Sequence, residues 1–416
     1  MNRVLWWRFW PRTVAAVALP IRLPVRLSIS GYWLERSMAD YAHYLPDAER
    51  DLRSRSSLAQ LLHIDVLLLL PLLVLMLGGL VVLYSASDES WSTVIRQLRN
   101  MAVALVGMAI AAQIKPETYC RWAPALYLVG LVLLAAVPVV GVKAMGAQRW
   151  LSLGFVRFQP SELMKLAMPL MVAWWFAREG IPPRPMSLAV ALMLVLLPAA
   201  LIVIQPDLGT SLLVAASGLF VVFMAGVSGW YIAAAVLMLV ASLWPAWMFM
   251  LKDYQKQRVL TLLDPEADKL GAGWNIIQSK TAIGSGGWTG KGWLAGTQSH
   301  LDFLPESQTD FIIAVLAEEF GLRGVLTLLL IYLLIIGRGL WISLSAQTLY
   351  GRLLASAITL TFFVYVFVNI GMVAGILPVV GVPLPLISFG GTSMVTLLLG
   401  FGVLMAISAE RRIITR

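Results

Sequence analysis

The chain has 416 residues, of which 59% are hydrophobic and only 13% charged, and its formal net charge is +9. A soluble domain carries about 25% charged residues, so a water-exposed globule is excluded and a polytopic helical membrane protein is expected. One cysteine (Cys120) excludes an internal disulfide, three scattered histidines (His43, His63, His300) give no zinc spacing, and no basic patch interleaves with aromatics, which excludes nucleic acid.

The first 60 residues hold nine Arg, no Lys and five acids. Their apolar stretch "VAAVALPI" is short and broken by proline, unlike the uninterrupted core of a signal peptide. Residues 1–63 are therefore expected to form a basic cytoplasmic extension, partly on the bilayer surface. Apolar windows follow at 65–84, 98–114, 124–140, 161–177, 187–204, 210–226, 230–251, 322–342, 353–374 and 391–408. Each approaches the roughly 20 residues that cross a hydrocarbon core, so residues 64–416 are expected to form an all-α membrane domain of ten transmembrane helices.

Lys and Arg collect on the cytoplasmic side of short loops. With the N-terminus inside, the inner turns receive Lys115 and Arg121, then Arg178 and Arg184, then Arg338 and Arg352, and the tail "AERRIITR" is inside too. The outer face then receives 85–97, 141–160, 205–209, the long loop 252–321 between helices 7 and 8, and 375–390. Helical residues 309–320 are read as lying at or dipping into the interface. Spanning would place Glu318 and Glu319 near the bilayer centre at about 2.5 kcal/mol or more each.

Three polar clusters fall on the outer side. "GVKAMGAQRWLSLGFVRFQPSELMK" carries Lys143, Arg149 and Arg157, outward cations held either by an anionic ligand or by acids elsewhere on that face. In the same run Glu162 and Lys165 stand three apart on one helical face. Such ionisable groups inside a span are functional candidates, and a buried pair that only fixes packing is the other reading. "IQPDLGTS" breaks the chain between two spans, with Asp207 or Thr210 available as a helix cap and the following N–H groups available to an anion.

In "LPESQTDFIIAVLAEEF", Thr309 or Asp310 is placed to start a helix with Phe311, Ile312, Val315 and Leu316 as its apolar stripe. Asp310 then reads either as an N-cap or as a general base beside a low-dielectric surface. "GAGWNIIQSKTAIGSGGWTGKGW" lacks phosphate-loop spacing and is expected to fold into a compact cover. "GILPVVGVPLPLISFGGTSM" is irregular backbone that must line a cavity or be buried in protein.

These motifs, together with "DYQKQRVLTLLDPEADKLGAGWNIIQSK", "GTQSHLDFLPE" and "FVNIGMVAGILPVVGVPLPLISFGGTS", resemble the SEDS family (shape, elongation, division and sporulation) from about Ile64 to Ile413. "GILPVVGVPLPL" and "LDFLPE" are more similar to its elongation branch than to its division branch. The resemblance implies a peptidoglycan glycosyltransferase of the bacterial inner membrane, polymerising lipid II at the outer face during elongation and rod-shape maintenance. Its implied partners are a class B penicillin-binding protein, undecaprenyl pyrophosphate lipids, the elongation machinery and membrane lipids.

The resemblance implies Asp310 as the catalytic residue. The expected substrate-binding set is Arg149, Arg157, Gln159, Glu162, Lys165, Asp207 and Glu306. A divalent cation (Mg or Mn) on Asp207, Glu306 and Asp310 is an expectation without a matching cation-loop spacing. Gln308 stands where the family usually has His. A lipid II flippase and a non-catalytic transpeptidase scaffold are the alternatives; a flippase needs polar groups at both faces, whereas here they crowd the outer half.

Overall fold

The computed structural model describes residues 63–144, 147–152, 157–250, 253–268, 272–297 and 306–414. The expected basic extension lies outside the described residues apart from His63.

Among the described residues there are twelve α-helices. Seven precede the long loop: α1 Val66–Ala86, α2 Trp91–Gln113, α3 Pro116–Val140, α4 Pro160–Glu179, α5 Pro185–Ile204, α6 Leu208–Met224 and α7 Gly229–Pro245. The loop contributes α8 Asp253–Leu263 and α9 Ala272–Gly286, and the last three are α10 Ile312–Ser345, α11 Leu349–Val373 and α12 Thr392–Ile414. Three helices, α3, α4 and α5, open on a proline, whose missing N–H costs nothing at a first turn.

Each of the ten apolar windows falls on one of these helices. Eight are long and apolar enough to cross a membrane. The other two are α4, which carries Glu162, Lys165, Arg178 and Glu179, and α6, with 17 residues. The chain is an all-α polytopic membrane protein in this sense. A small antiparallel sheet of order β1-β2-β3 interrupts the helices, from β1 Val142–Ala144, β2 Ala147–Ser152 and β3 Arg157–Phe158. The described residues between 141 and 160 thus form a small sheet rather than a plain loop.

Packing follows the rule for helices in lipid, where close approach replaces the hydrophobic effect. Gly402 of α12 lies so near α2 that a Cβ there would sit 2.4 Å from the Met108 carbonyl. At one end of the bundle Asp65 caps α1 and accepts from Arg338 of α10 at 2.7 Å and Ser408 of α12 at 2.7 Å. This hub ties three helices at the end where the chain enters.

The segment 309–320 departs from expectation. The helix begins at Ile312, capped by Phe311 without a side-chain hydrogen bond; neither Thr309 nor Asp310 starts it. It is one helix with α10, bent where Gly321 takes φ 66°. Residues Ile312 to Glu319 are buried on every face, so the segment is enclosed by protein instead of lying at an interface. The reason is local. Gly290 packs so closely on the bend that a Cβ there would stand 2.0 Å from the Glu319 carbonyl. Backbone bonds from Lys291, Gly292, Leu322 and Arg323 join the two strands of chain, repairing the hydrogen bonds that the bend opens. The glycines of "GSGGWTGKGW" therefore brace a kink.

Candidate active site

The turn 306–311 places Asp310 just before Phe311, the N-cap of α10, so that Asp310 does not itself cap the helix. Glu306 adopts φ 60°, and its carbonyl accepts from the backbone N–H groups of Thr309 at 3.1 Å and Phe311 at 3.3 Å. Thr309 Oγ1 donates to Glu306 Oε2 at 2.7 Å. The outer side of this turn is clamped by other elements. Phe389 N–H donates to the Gln308 carbonyl at 2.9 Å, Ser388 Oγ donates to the Thr309 carbonyl, and Asn369 Nδ2 of α11 donates to the Asp310 carbonyl at 2.9 Å. The carbonyls of Glu306, Gln308, Thr309 and Asp310 all accept, so the backbone that carries Asp310 is held on both sides. Asp310 Oδ2 faces Gly381 of the irregular stretch, which takes φ 79°; a Cβ there would stand 3.5 Å from that oxygen.

Among the described residues Asp310 has no ion-pair partner at salt-bridge distance. Desolvation and then the adjacent Glu306 carboxylate push its carboxyl up to about 6, with the more distant guanidinium of Arg258 opposing. A carboxylate there is basic enough to take a proton near neutral pH.

A second cluster lies beside it. Lys165 Nζ donates to Glu162 Oε1 at 2.6 Å, Glu162 buried and Lys165 partly so, and stands 5.1 Å from the centre of the Tyr365 ring. Arg149 reaches across from β2 to Asp207, 3.5 Å away, and donates to the Pro206 carbonyl at 2.5 Å. Gln159 Nε2 donates to Asp207 Oδ2 at 3.4 Å, and Asp207 caps α6 by accepting from the Thr210 N–H at 3.2 Å. Arg149 is thus matched by an acid of the same face, and both it and Lys165 are neutralised within the protein. Arg157 opens β3; its side chain lies outside the described residues.

Two neighbours on α11 join the clusters. Tyr365 meets Lys165, and Asn369, one turn (about 6 Å) along the same face, holds the Asp310 turn and also donates to the Val382 carbonyl at 2.7 Å. Five of the expected residues (Arg149, Gln159, Glu162, Lys165, Asp207) therefore meet in one place and two (Glu306, Asp310) in the next. Glu162 Oε2, without a hydrogen-bond partner, belongs to a residue that also lines a cavity of about 390 Å³ shared with Arg99, Asn100, Phe158 and Thr392.

Tyr365, Asn369, Arg99 and Arg258 were not singled out from the sequence. Asn369 was the one with a signal, a polar amide in an apolar span. Among the described residues no three of His, Cys, Asp or Glu come together to hold a metal ion. Asp207 lies in the paired cluster and not with Glu306 and Asp310, so the expected three-carboxylate cation site does not form.

Comparison with known proteins follows the same outline. Residues 59–413 match the family model FtsW/RodA/SpoVE, described as a cell cycle protein. Over 354 residues the chain is 54% identical to the peptidoglycan glycosyltransferase MrdB of Escherichia coli strain K12, covering 85% of this chain and 96% of that one. Among solved structures, a chain from work on the structural coordination of polymerization and crosslinking by a peptidoglycan synthase complex superposes with TM-score 0.73 at 33% identity, covering 83% of this chain and 98% of that one. The rod shape determining protein RodA of Thermus thermophilus gives 0.63 at 28% identity, covering 83% and 97%. The match spans the whole described bundle, both polar clusters included, and the chain belongs to the FtsW/RodA/SpoVE family of cell cycle proteins.

Proposed function

We infer that this chain is a peptidoglycan glycosyltransferase that joins the disaccharide units of lipid II at the outer face of the bacterial inner membrane, in the elongation branch of wall synthesis. The carrying observation is Asp310: a desolvated carboxylate beside a second one, in a turn held by α11 and the irregular stretch, without a salt-bridge partner. Asp310 is the general base. The acceptor sugar 4-hydroxyl gives its proton to Asp310 while its oxygen forms a bond to the anomeric carbon of the donor. The bond from that carbon to the pyrophosphate oxygen breaks, the electron pair leaves with undecaprenyl pyrophosphate, and the anomeric configuration inverts.

The leaving pyrophosphate needs positive charge. Arg149 and Lys165 are committed to Asp207 and Glu162, so their role is to position the cavity wall, with Gln159 holding Asp207. Arg99, which lines the cavity with Glu162, is the cation for the pyrophosphate. A divalent cation fits here only as Mg²⁺ commonly binds, through one or two carboxylates together with substrate phosphates; Glu306 would be such a carboxylate, with Asp310 kept for the proton. No proton or bond in the step above depends on it.

In the proposed topology the ten helices α1–α7 and α10–α12 span the membrane. Both chain ends are cytoplasmic, residues 1–63 form a separate basic extension, and the cluster end faces outward. The partner is a class B penicillin-binding protein that crosslinks the product, a reading supported by likeness to a chain of a peptidoglycan synthase complex.

The test is polymerisation of labelled lipid II by purified protein in detergent with a divalent cation, with and without such a partner. Products are resolved on a gel beside Asp310→Ala. Polymer from the parent and none from the variant is expected. No polymer from either, with the partner folded and bound, would overturn the assignment and favour a scaffold or a flippase.

A further inference from the structure

A groove between α1 and α10 belongs to neither polar cluster. It encloses about 490 Å³ and is walled by Val74, Val82, Leu316, Phe320 and Leu328, with Ile387 of the irregular stretch as its floor. On the α1 wall Gly78 faces open space, with nothing within 4 Å of where its Cβ would be. At the rim stands Arg323, exposed and in no ion pair with any described residue. The hydroxyl-bearing Thr289 and Thr327 also line the groove.

Depth decides what such a groove accepts. Arg338, paired with Asp65 at the opposite end, is fifteen residues from Arg323 along α10, or about 22 Å at 1.5 Å per residue. In a hydrocarbon core about 30 Å thick, this leaves the Arg323 guanidinium within reach of the outer headgroups, where long cationic side chains extend to the interface. The wall from Val74 to Val82 is about 12 Å long, close to the depth of one leaflet. An unmatched guanidinium above a one-leaflet apolar slot is complementary to a phosphate above an acyl chain.

We propose that this groove binds an anionic phospholipid of the outer leaflet, one acyl chain between α1 and α10 and its phosphate on Arg323. The site reports to the Asp310 turn through its floor. Ile387 precedes Ser388, whose hydroxyl accepts from the Leu384 N–H at 2.8 Å and donates to the Thr309 carbonyl. A chain pressed on Ile387 restrains that clamp.

The experiment uses the full-length protein in vesicles of phosphatidylcholine with or without phosphatidylglycerol. Retained phosphatidylglycerol is counted by native mass spectrometry, and lipid II polymerisation is measured alongside. The variants are Arg323→Gln, which removes the charge, and Gly78→Phe, whose Cβ meets nothing within 4 Å and whose ring is set to fill the slot; an unchanged melting point shows that each is folded. Arg323→Gln is expected to lose about tenfold in retained phosphatidylglycerol, the worth of one charge-assisted hydrogen bond, and Gly78→Phe to lose retention by excluding the acyl chain. Both should polymerise at the parent's phosphatidylcholine rate while no longer gaining from phosphatidylglycerol. Equal retention by all three proteins would overturn the proposal, as would displacement of phosphatidylglycerol by equimolar undecaprenyl pyrophosphate, which would make the slot a substrate-tail site. Retention lost without any change in the response to phosphatidylglycerol would overturn the link to the Asp310 turn.

Discussion

Two carboxylate pairs stand within fourteen residues of each other in one segment, Glu306 with Asp310 and Glu318 with Glu319, and they do opposite things. Glu318 is completely buried, and its Oε1 accepts from Lys291 Nζ at 2.6 Å, the Thr297 N–H at 2.8 Å and Thr297 Oγ1 at 3.1 Å. Glu319, also buried, accepts from Ser85 Oγ of α1. Glu306 and Asp310 are less buried, and Glu306 raises the proton affinity of Asp310 more than Arg258 lowers it. Residue type and chain position are shared, so partners alone separate an anchor from a base. The matched acids hold the bend in α10, and the unmatched acid is left with affinity for a proton.

The sharpest way to break this contrast is Asp310→Ala. Loss of a general base costs about 10² to 10⁴ in rate, so lipid II polymerisation should fall by that order while the melting point stays at or above that of the parent. Substantial polymer from folded variant would return Asp310 to a structural role. Glu318→Ala attacks the other side. It leaves Lys291 without its counter-charge and the Thr297 N–H without its acceptor, at roughly 3 kcal/mol, and should lower the melting point by several degrees. A variant as stable as the parent would show that the anchor is not one.

The pH dependence sharpens the contrast further. Polymerisation should rise with pH through about 6 as Asp310 ionises. In Glu306→Gln the nearby negative charge is gone, so the rise should move to lower pH; an unmoved midpoint in kcat against pH would separate the two residues. Stability gives the smallest effect and the opposite sign to an ordinary salt-bridged acid. The folded pKa of Asp310 is raised above the unfolded one, so the native state holds the extra proton between about 4 and 6. Its contribution to stability is therefore lost as pH rises through that window. Asp310→Asn removes the penalty, and its melting point should gain on the parent's between pH 4 and pH 7; a constant difference would mean that Asp310 is not desolvated.

Much of this was legible without coordinates. The ten apolar windows fell on ten helices because a span carries its own backbone hydrogen bonds and needs only length and apolarity. The Glu162–Lys165 pair followed from helical spacing, and the cap on α6 from a polar residue after a helix break. What failed was the segment from 309 to 320. Its amphipathic stripe pointed to an interface, while the glycine-lined brace at 286–292, some thirty residues away, packs on its C-terminal turn and the segment is buried on every face. The acceptor for Arg149 was likewise hidden, since Asp207 is 58 residues distant and meets it only when β2 folds over the start of α6.

The sequence by itself determined the solvent of this protein, its helices and the residue types gathered outside them, because apolar length and short-range spacing act along the chain. Tertiary structure alone decided which acids are matched. Asn369 and Ser388 reach Asp310 through its own and the neighbouring backbone carbonyl, Lys291 reaches Glu318 through a folded loop, and Arg149 is taken by Asp207. A carboxylate's proton affinity depends on the charges and donors within a few ångströms, and those neighbours come from chain segments that only folding brings together.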